Sequence, residues 1–290
     1  MSLRRIFLPS LMAASASMAL AHAVAQTPPS PNAAPLPNGD QLLQRAIANQ
    51  AKLAAEQERY ECRVSDKITE LDSKGKVKRT STELKEQFYV NGAAVERTLA
   101  KDGKNLTPDQ TKKEDERVMK ETLKNSETKA KKKPDQESPD QRSKVQQMMV
   151  AMILANGHRE SVDGRSVLLY DIAPNPNFHA RSTNERLAQV MQGKISIDET
   201  TGEPIDIEMR TTQDFKIAGG VLATIHKGLR IHIHDHPQPD GVWLTDLVEG
   251  SGDARAALFL HPWFRFKETA GDCHLYTTTA NQVGQAKLVK

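Results

Sequence analysis

Aromatic side chains are scarce in this chain, at 4% of its 290 residues. A core built from it has to be mostly aliphatic. Net charge is also small, with 40 Lys and Arg against 37 Asp and Glu. A near-neutral chain has no global reason to bind nucleic acid or an anionic membrane. Catalytic signatures are missing too. There is no G-x-S-x-G elbow, no H-E-x-x-H pair and no glycine-rich phosphate loop. The scattered His158, His179, His226, His261 and His274 have no nucleophile beside them in sequence. These absences point away from an enzyme and ask for no cofactor. With two cysteines only, a single intramolecular pairing exists, Cys62 with Cys273.

The N-terminus carries an address. Arg4 and Arg5 precede an apolar run from Ile6, and Ala23-Val24-Ala25 gives a small-x-small cleavage site before Gln26. Pro9 and several serines interrupt the run, which is shorter than the roughly 20 residues a membrane span needs. Residues 1–25 therefore read as a secretory signal peptide, with the mature protein in the periplasm or secreted and without a transmembrane segment. Export places Cys62 and Cys273 in an oxidising compartment, which favours a disulfide between them. Residues 26–39 are Pro-rich and read as a disordered leader. A single domain then occupies residues 40–290.

Asp40 is positioned to cap a helix running to about Arg59, with Leu42, Leu43, Ala46, Ile47, Leu53 and Ala54 as its apolar stripe. Strands follow from Tyr60, and Asn91-Gly92 is a strong hairpin signal. A charged helical insertion breaks the β pattern at about 107–155. It ends in an apolar helix from Ser143 to Ala155 that carries Met148, Met149, Met152 and Ile153. The lysines at 129–133 read as a solvated helix end.

From Gly193 to Tyr276 the chain is a succession of amphipathic hairpins. Ile195 and Ile197 alternate with Lys194, Ser196 and Asp198; Ile205, Ile207 and Met209 alternate with Asp206, Glu208 and Arg210. Successive side chains on a strand point to opposite faces, so one face is apolar and the other wet. Such a sheet has an inner surface that either the protein's own helices or an apolar ligand must cover.

Several short motifs come in a telling order. Asp163-Gly164-Arg165 precedes a strand, and Gly193-Lys194-Ile195-Ser196-Ile197-Asp198 opens a hairpin that turns at Thr201-Gly202-Glu203-Pro204. Lys227-Gly228 falls within a strand, and Asp240-Gly241-Val242-Trp243-Leu244 follows a loop. Over roughly residues 60–276 this resembles the lipoprotein-carrier superfamily, the LolA-like and outer-membrane lipoprotein-sorting proteins. Ser196 stands where relatives often carry an aromatic residue. The resemblance implies an α+β fold, an antiparallel incomplete β-barrel wrapped around helices with an apolar cavity between them. It also implies a lipid or an acylated lipoprotein as partner. Other members of the fold act as envelope sensors, so a protein-interaction module with the cavity closed by its own helices is the alternative.

The expected cavity walls are Ile195, Ile197, Ile205, Ile207, Met209, Leu229, Ile231 and Ile233 on strands, with Met149, Met152 and Ile153 from the apolar helix. His232, His234 and His236 alternate along one strand face and compose a possible nitrogen-ligand set for a third, metal-binding reading. Arg230 on the same face disfavours a cation there. Pro237 and Pro239 end the strand and leave His236 in a loop, so no metal is expected. Asp198 and Asp206 are placed to face each other across their hairpin.

Overall fold

The structure, a computed structural model, describes residues 35–90, 93–130, 144–162, 164–217, 223–256 and 263–275. The signal peptide, residues 26–34 of the leader and the Asn91-Gly92 turn lie outside the described residues. So do most of the 129–133 lysine run and the loop after it.

Helix α1 (Gly39–Gln57) leads into β1 (Tyr60–Leu71), β2 (Val77–Val90), β3 (Ala93–Lys101) and β4 (Lys104–Asn105). Then come α2 (Pro108–Ala130), α3 (Lys144–Met149), β5 (Met152–Val162), β6 (Arg165–Pro174) and α4 (Thr183–Ala188). The remainder is β7 (Met191–Asp198), β8 (Pro204–Thr211), β9 (Phe215–Ile217), β10 (Ala223–Ile225), β11 (Arg230–Pro237), β12 (Trp243–Ala256) and β13 (Trp263–Leu275). The strands form one antiparallel sheet in the order β4-β3-β2-β1-β13-β12-β11-β8-β7-β6-β5, with β9 and β10 as a side branch. Its two ends, β4 and β5, do not pair, so the sheet is open. The α+β class and antiparallel sheet hold, without closure by hydrogen bonds.

First and last strands are neighbours. β1 pairs with β13 from Tyr60↔Leu275 to Leu71↔Trp263. This brings Cys62 against Cys273, and the two form the expected disulfide across 211 residues of chain. In the chain-entropy model, closing a loop of that size contributes on the order of 5 kcal/mol. The bridge packs against Tyr60, Val242 and Leu244.

The helices divide between the two faces. Ala151, Met152, Ile172, Ala188 and Met191 form a buried cluster at α4 and the α3–β5 junction. Leu42 of α1 packs beside it, against Leu168, Tyr170 and Ile197. Val118 of α2 instead packs on Phe88 and Val95. These lie on the other face of β2–β3, because Phe88 is an odd number of residues from Lys85, the cross-strand partner of buried Val64. The family resemblance implies a sheet wrapped around helices; α1, α3 and α4 lie on one face in that way, and α2 lies on the other.

Four local expectations also change. The apolar helix stops at Met149, and Met152 to Val162 is the edge strand β5, so Met152 and Ile153 are strand residues. An apolar run satisfies either period, and here pairing decides: Met152 lies opposite Pro174 and Leu154 opposite Ile172. The insertion is accordingly helical only to Met149. Asn38, not Asp40, caps α1, its Oδ1 accepting from the backbone N–H groups of Asp40 and Gln41 at 2.8 and 3.3 Å. Lys227-Gly228 is a turn between β10 and β11, with Gly228 at φ 93°; both strands pair with β12, but their other neighbours differ, β9 and β8. Helix α4 was not anticipated, although Ser182 and Glu185 spell a capping box and form one.

Candidate functional site

The register of the sheet defines its apolar face row by row. One row runs Leu154, Ile172, Gly193, Met209, Ile231, Gly250, Phe266, Ile68, each residue the cross-strand partner of the next. A parallel row runs Tyr170, Ile195, Ile207, Ile233, Val248, Glu268, Asp66, Glu83. Glycine is required at Gly193, where a Cβ would lie 1.8 Å from the Glu208 carbonyl oxygen. Gly250 is constrained similarly, because the Phe266 ring lies across it.

Most of the residues expected to wall a cavity fall on this face, in different surroundings. Met152 is buried in the Ala151–Met191 cluster, and Ile195, Ile207, Met209 and Ile231 pack against it. Ile197 is buried with Leu168 and Tyr170, and Leu229 is buried as well. Ile205 and Ile233, with Met149 and Ile153, are half-buried, as are Ile195, Ile207, Met209 and Ile231. A hollow of about 550 Å³ touches Ile195 and Ile205 but belongs to the opposite face, where Val167, Leu169, Lys194, Glu208 and His232 line it.

Beyond Val248 the same face becomes charged. Lys85 reaches Asp66, Glu96 at 2.8 Å and Glu83 at 3.9 Å. Burial pulls the Lys85 pKa down, but its hydrogen bonds to Asp66 and Glu96 outweigh that and raise it. Burial raises the Glu268 pKa, and the charges of Asp66 and Glu96 push it the same way.

The opposite, polar face carries a larger hollow, a groove of about 1160 Å³ that crosses the strands. One lining row alternates in sign: Asp171, Lys194, Glu208, His232, Glu249, Lys267. The row beside it is basic: Gln192, Arg210, Arg230, Ser251, Arg265. Met209 and Ile231 contribute to this lining from the row between. The arginine row escaped sequence reasoning, since its members come from five strands whose alignment only the register fixes. The available signal was their common place on the wet side of each strand.

The histidines are held by carboxylates. His232 Nε2 is 2.7 Å from Asp206 Oδ1, and its Nδ1 is 3.6 Å from Glu249. The hydrogen bond to Asp206 raises the His232 pKa against the effect of burial, with Glu249 adding to the rise. His234 Nδ1 is 2.6 Å from Asp246. His236 belongs to β11 rather than to a loop, opposite Leu244; Pro237 has no N–H to pair but does not end the ladder before it. No group of three or more potential ligands among the described residues is placed to hold a metal. Asp206 lies opposite Ser196, not Asp198. Asp198 turns inward instead and accepts hydrogen bonds from Thr200 and Thr201 backbone N–H groups at 2.9 Å each. A carboxylate two residues before a tight turn satisfies the turn's own donors.

No helix among the described residues is long and apolar enough to cross a membrane. No family model and no curated protein matches the chain. Among solved structures, it is similar to a domain named for outer membrane lipoprotein sorting from Vibrio parahaemolyticus. Identity is 12% and TM-score 0.37, covering 86% of this chain and 98% of that one. It is also similar to a DUF1329 family protein from Desulfovibrio piger, at 8% identity and TM-score 0.29, covering 80% of this chain and 93% of that one. A third likeness is to MucB in its complex with MucA(peri), at 10% identity and TM-score 0.21, covering 80% and 100%.

Proposed function

We propose that this protein is a non-catalytic extracytoplasmic binding module that seats an apolar ligand, a lipid or the acylated end of a lipoprotein, on the apolar face of its sheet. The observation that carries this reading is incomplete cover. Ile195, Ile207, Met209, Ile231 and Ile233 are contiguous across three strands and remain only half-buried, although α1, α3 and α4 sit on the same face. A sheet closed by its own helices would bury that strip as fully as Leu168 or Met191, both at 1% exposure. An acyl chain suits such a strip because each buried CH₂ contributes roughly 0.8 kcal/mol without any directional group. Flexible Met149 and Met209 tolerate chains of different length and kink. The signal-peptide pattern at residues 1–25 supports the compartment.

The test is titration of the delipidated protein with fluorescent fatty acids of several lengths, beside thermal melting. Ile233→Glu alters a half-buried strip residue outside the buried clusters. It should weaken binding at least tenfold, the equivalent of about 1.4 kcal/mol, while leaving most of the thermal stability. Absence of saturable binding by the folded wild type removes the reading and favours the sensor alternative.

A further inference from the structure

We propose that Arg230 and Arg265, with Ser251 between them, form a seat for a phosphoryl group on the polar face of the sheet. The seat is distinct from the apolar strip, since Arg230 and Ile231 are consecutive strand residues and point to opposite faces. Three observations converge on it.

The first is register. Arg230 is the partner of Ser251, and Ser251 is the partner of Arg265. With strands about 4.8 Å apart, the two arginines are separated by roughly 10 Å across one small hydroxyl residue. Side chains of that length can close over such a gap above Ser251.

The second is charge without neutralisation. Arg230 also faces Arg210 directly, and like charges opposed across a sheet destabilise it. Arg210 is occupied by a neutral partner: Gln192 Oε1, with the amide turned to accept, takes hydrogen bonds from it at 2.6 and 3.1 Å. Neither Arg230 nor Arg265 makes an ion pair with a described residue, although carboxylates line the next row. Glu249 is 3.7 Å from Lys267 and 3.6 Å from His232. The groove as a whole is lined by six Lys and Arg against three Asp and Glu.

The third is shape. The arginines lie within the 1160 Å³ groove rather than on a convex surface. Ser251 is the smallest residue of its row and stands between two long side chains, so a notch is left between the arginines. Two planar forks and one hydroxyl supply donors for several oxygens at once. This matches a tetrahedral phosphoryl group better than a planar carboxylate, which one fork alone satisfies.

The phosphoryl group can belong to a free phosphate or to a phospholipid headgroup. The experiment separates the two, using the full chain at physiological salt so that loose surface attraction is screened. Inorganic phosphate is titrated by calorimetry, and vesicles of phosphatidylglycerol by sedimentation. Four proteins are compared: wild type, Arg230→Gln/Arg265→Gln, Ser251→Val, and Lys74→Gln/Lys78→Gln as an equal loss of charge on the exposed β1–β2 hairpin. Each lost charge-assisted hydrogen bond weakens binding about tenfold, so the arginine pair variant should bind at least tenfold more weakly while melting as the wild type does. Ser251→Val keeps both arginines but fills the notch and should also weaken binding; the lysine variant should bind as the wild type does. Phosphate binding with this pattern identifies a soluble source, and vesicle binding alone with this pattern identifies a headgroup. The proposal is overturned if folded wild type binds neither probe, if both charge variants lose binding equally, or if Ser251→Val binds undiminished.

Discussion

Two halves of one sheet face solve the same burial problem differently. Across β6, β7, β8 and β11 the facing row reads Tyr170, Ile195, Ile207, Ile233; across β13, β1 and β2 it continues Glu268, Asp66, Glu83. The register is unbroken, yet the chemistry inverts after Val248. In the aliphatic half, helices α1, α3 and α4 lie close enough for dispersion and water exclusion to hold the structure. In the charged half the organising element is one lysine among four carboxylates. Desolvated charges there are tolerated only because each finds a partner. Ile68, in the neighbouring row, is left 47% exposed. An apolar ligand has reason to settle on the first half only, and the second ends its path across the sheet.

The contrast breaks most sharply at Met152, which is 7% exposed inside the Ala151–Met191 cluster. Met152→Glu puts a carboxylate where nothing can pair with it, and the expected loss of about 4 kcal/mol or more should leave little folded protein at 37 °C. Circular dichroism melts check this; a well-folded variant that has merely lost lipid binding would move Met152 from core to cavity wall.

The charged half is tested at Lys85. Lys85→Met leaves Asp66, Glu83, Glu96 and Glu268 without their common cation, at an expected cost of about 2–3 kcal/mol, below the range for fully buried pairs because the side chain keeps some solvent contact. Adding Glu268→Gln should recover part of that loss in urea melts. A Lys85→Met protein as stable as wild type would show that the carboxylates simply take up protons.

A smaller, pH-dependent effect belongs to the outer face of the same strands. Burial, then a hydrogen bond with Glu86, pushes the Glu61 pKa up from 4.5 to about 7. The folded chain therefore holds a proton that the unfolded chain has released above about pH 4.5. Stability from this group is full below that point and falls as pH rises through 7. Glu61→Gln should be nearly neutral at pH 4 and stabilising by on the order of 1–2 kcal/mol at pH 8, since Glu86 shares the proton. Equal melting shifts at both pH values would remove Glu61 from the account.

Legibility in the sequence followed the range of the interaction involved. The β2–β3 pairing of Phe88 and Val90 with Val95 and Ala93, the Thr201-Gly202 turn and the alternation of β7 and β8 were readable because hairpins are local. The 143–155 segment was misread because a continuous apolar run has no period of its own; Leu154 becomes a strand residue only when Ile172 is beside it. His236 joined β11 because Leu244 was there to pair with it. The apolar strip was legible as a set of residues, while its division into the buried Met152, Ile197 and Leu229 and the half-buried remainder was not. The arginine row was invisible, since Arg210, Arg230 and Arg265 are far apart in the chain.

The sequence by itself determined the alternation that makes one face greasy, the turns, and the presence of two cysteines with one possible partner each. Only the tertiary structure decided that β1 and β13 are neighbours, so that Cys62 meets Cys273, and that α2 packs on the opposite face from α1. It alone set the sheet open and lined up residues from distant hairpins into an apolar row, a charged row and a basic row. The physical reason is that side-chain alternation is a property of one strand, fixed by backbone geometry within a few residues. Which strand lies beside which is settled by burial summed over the whole sheet, a quantity no local stretch contains.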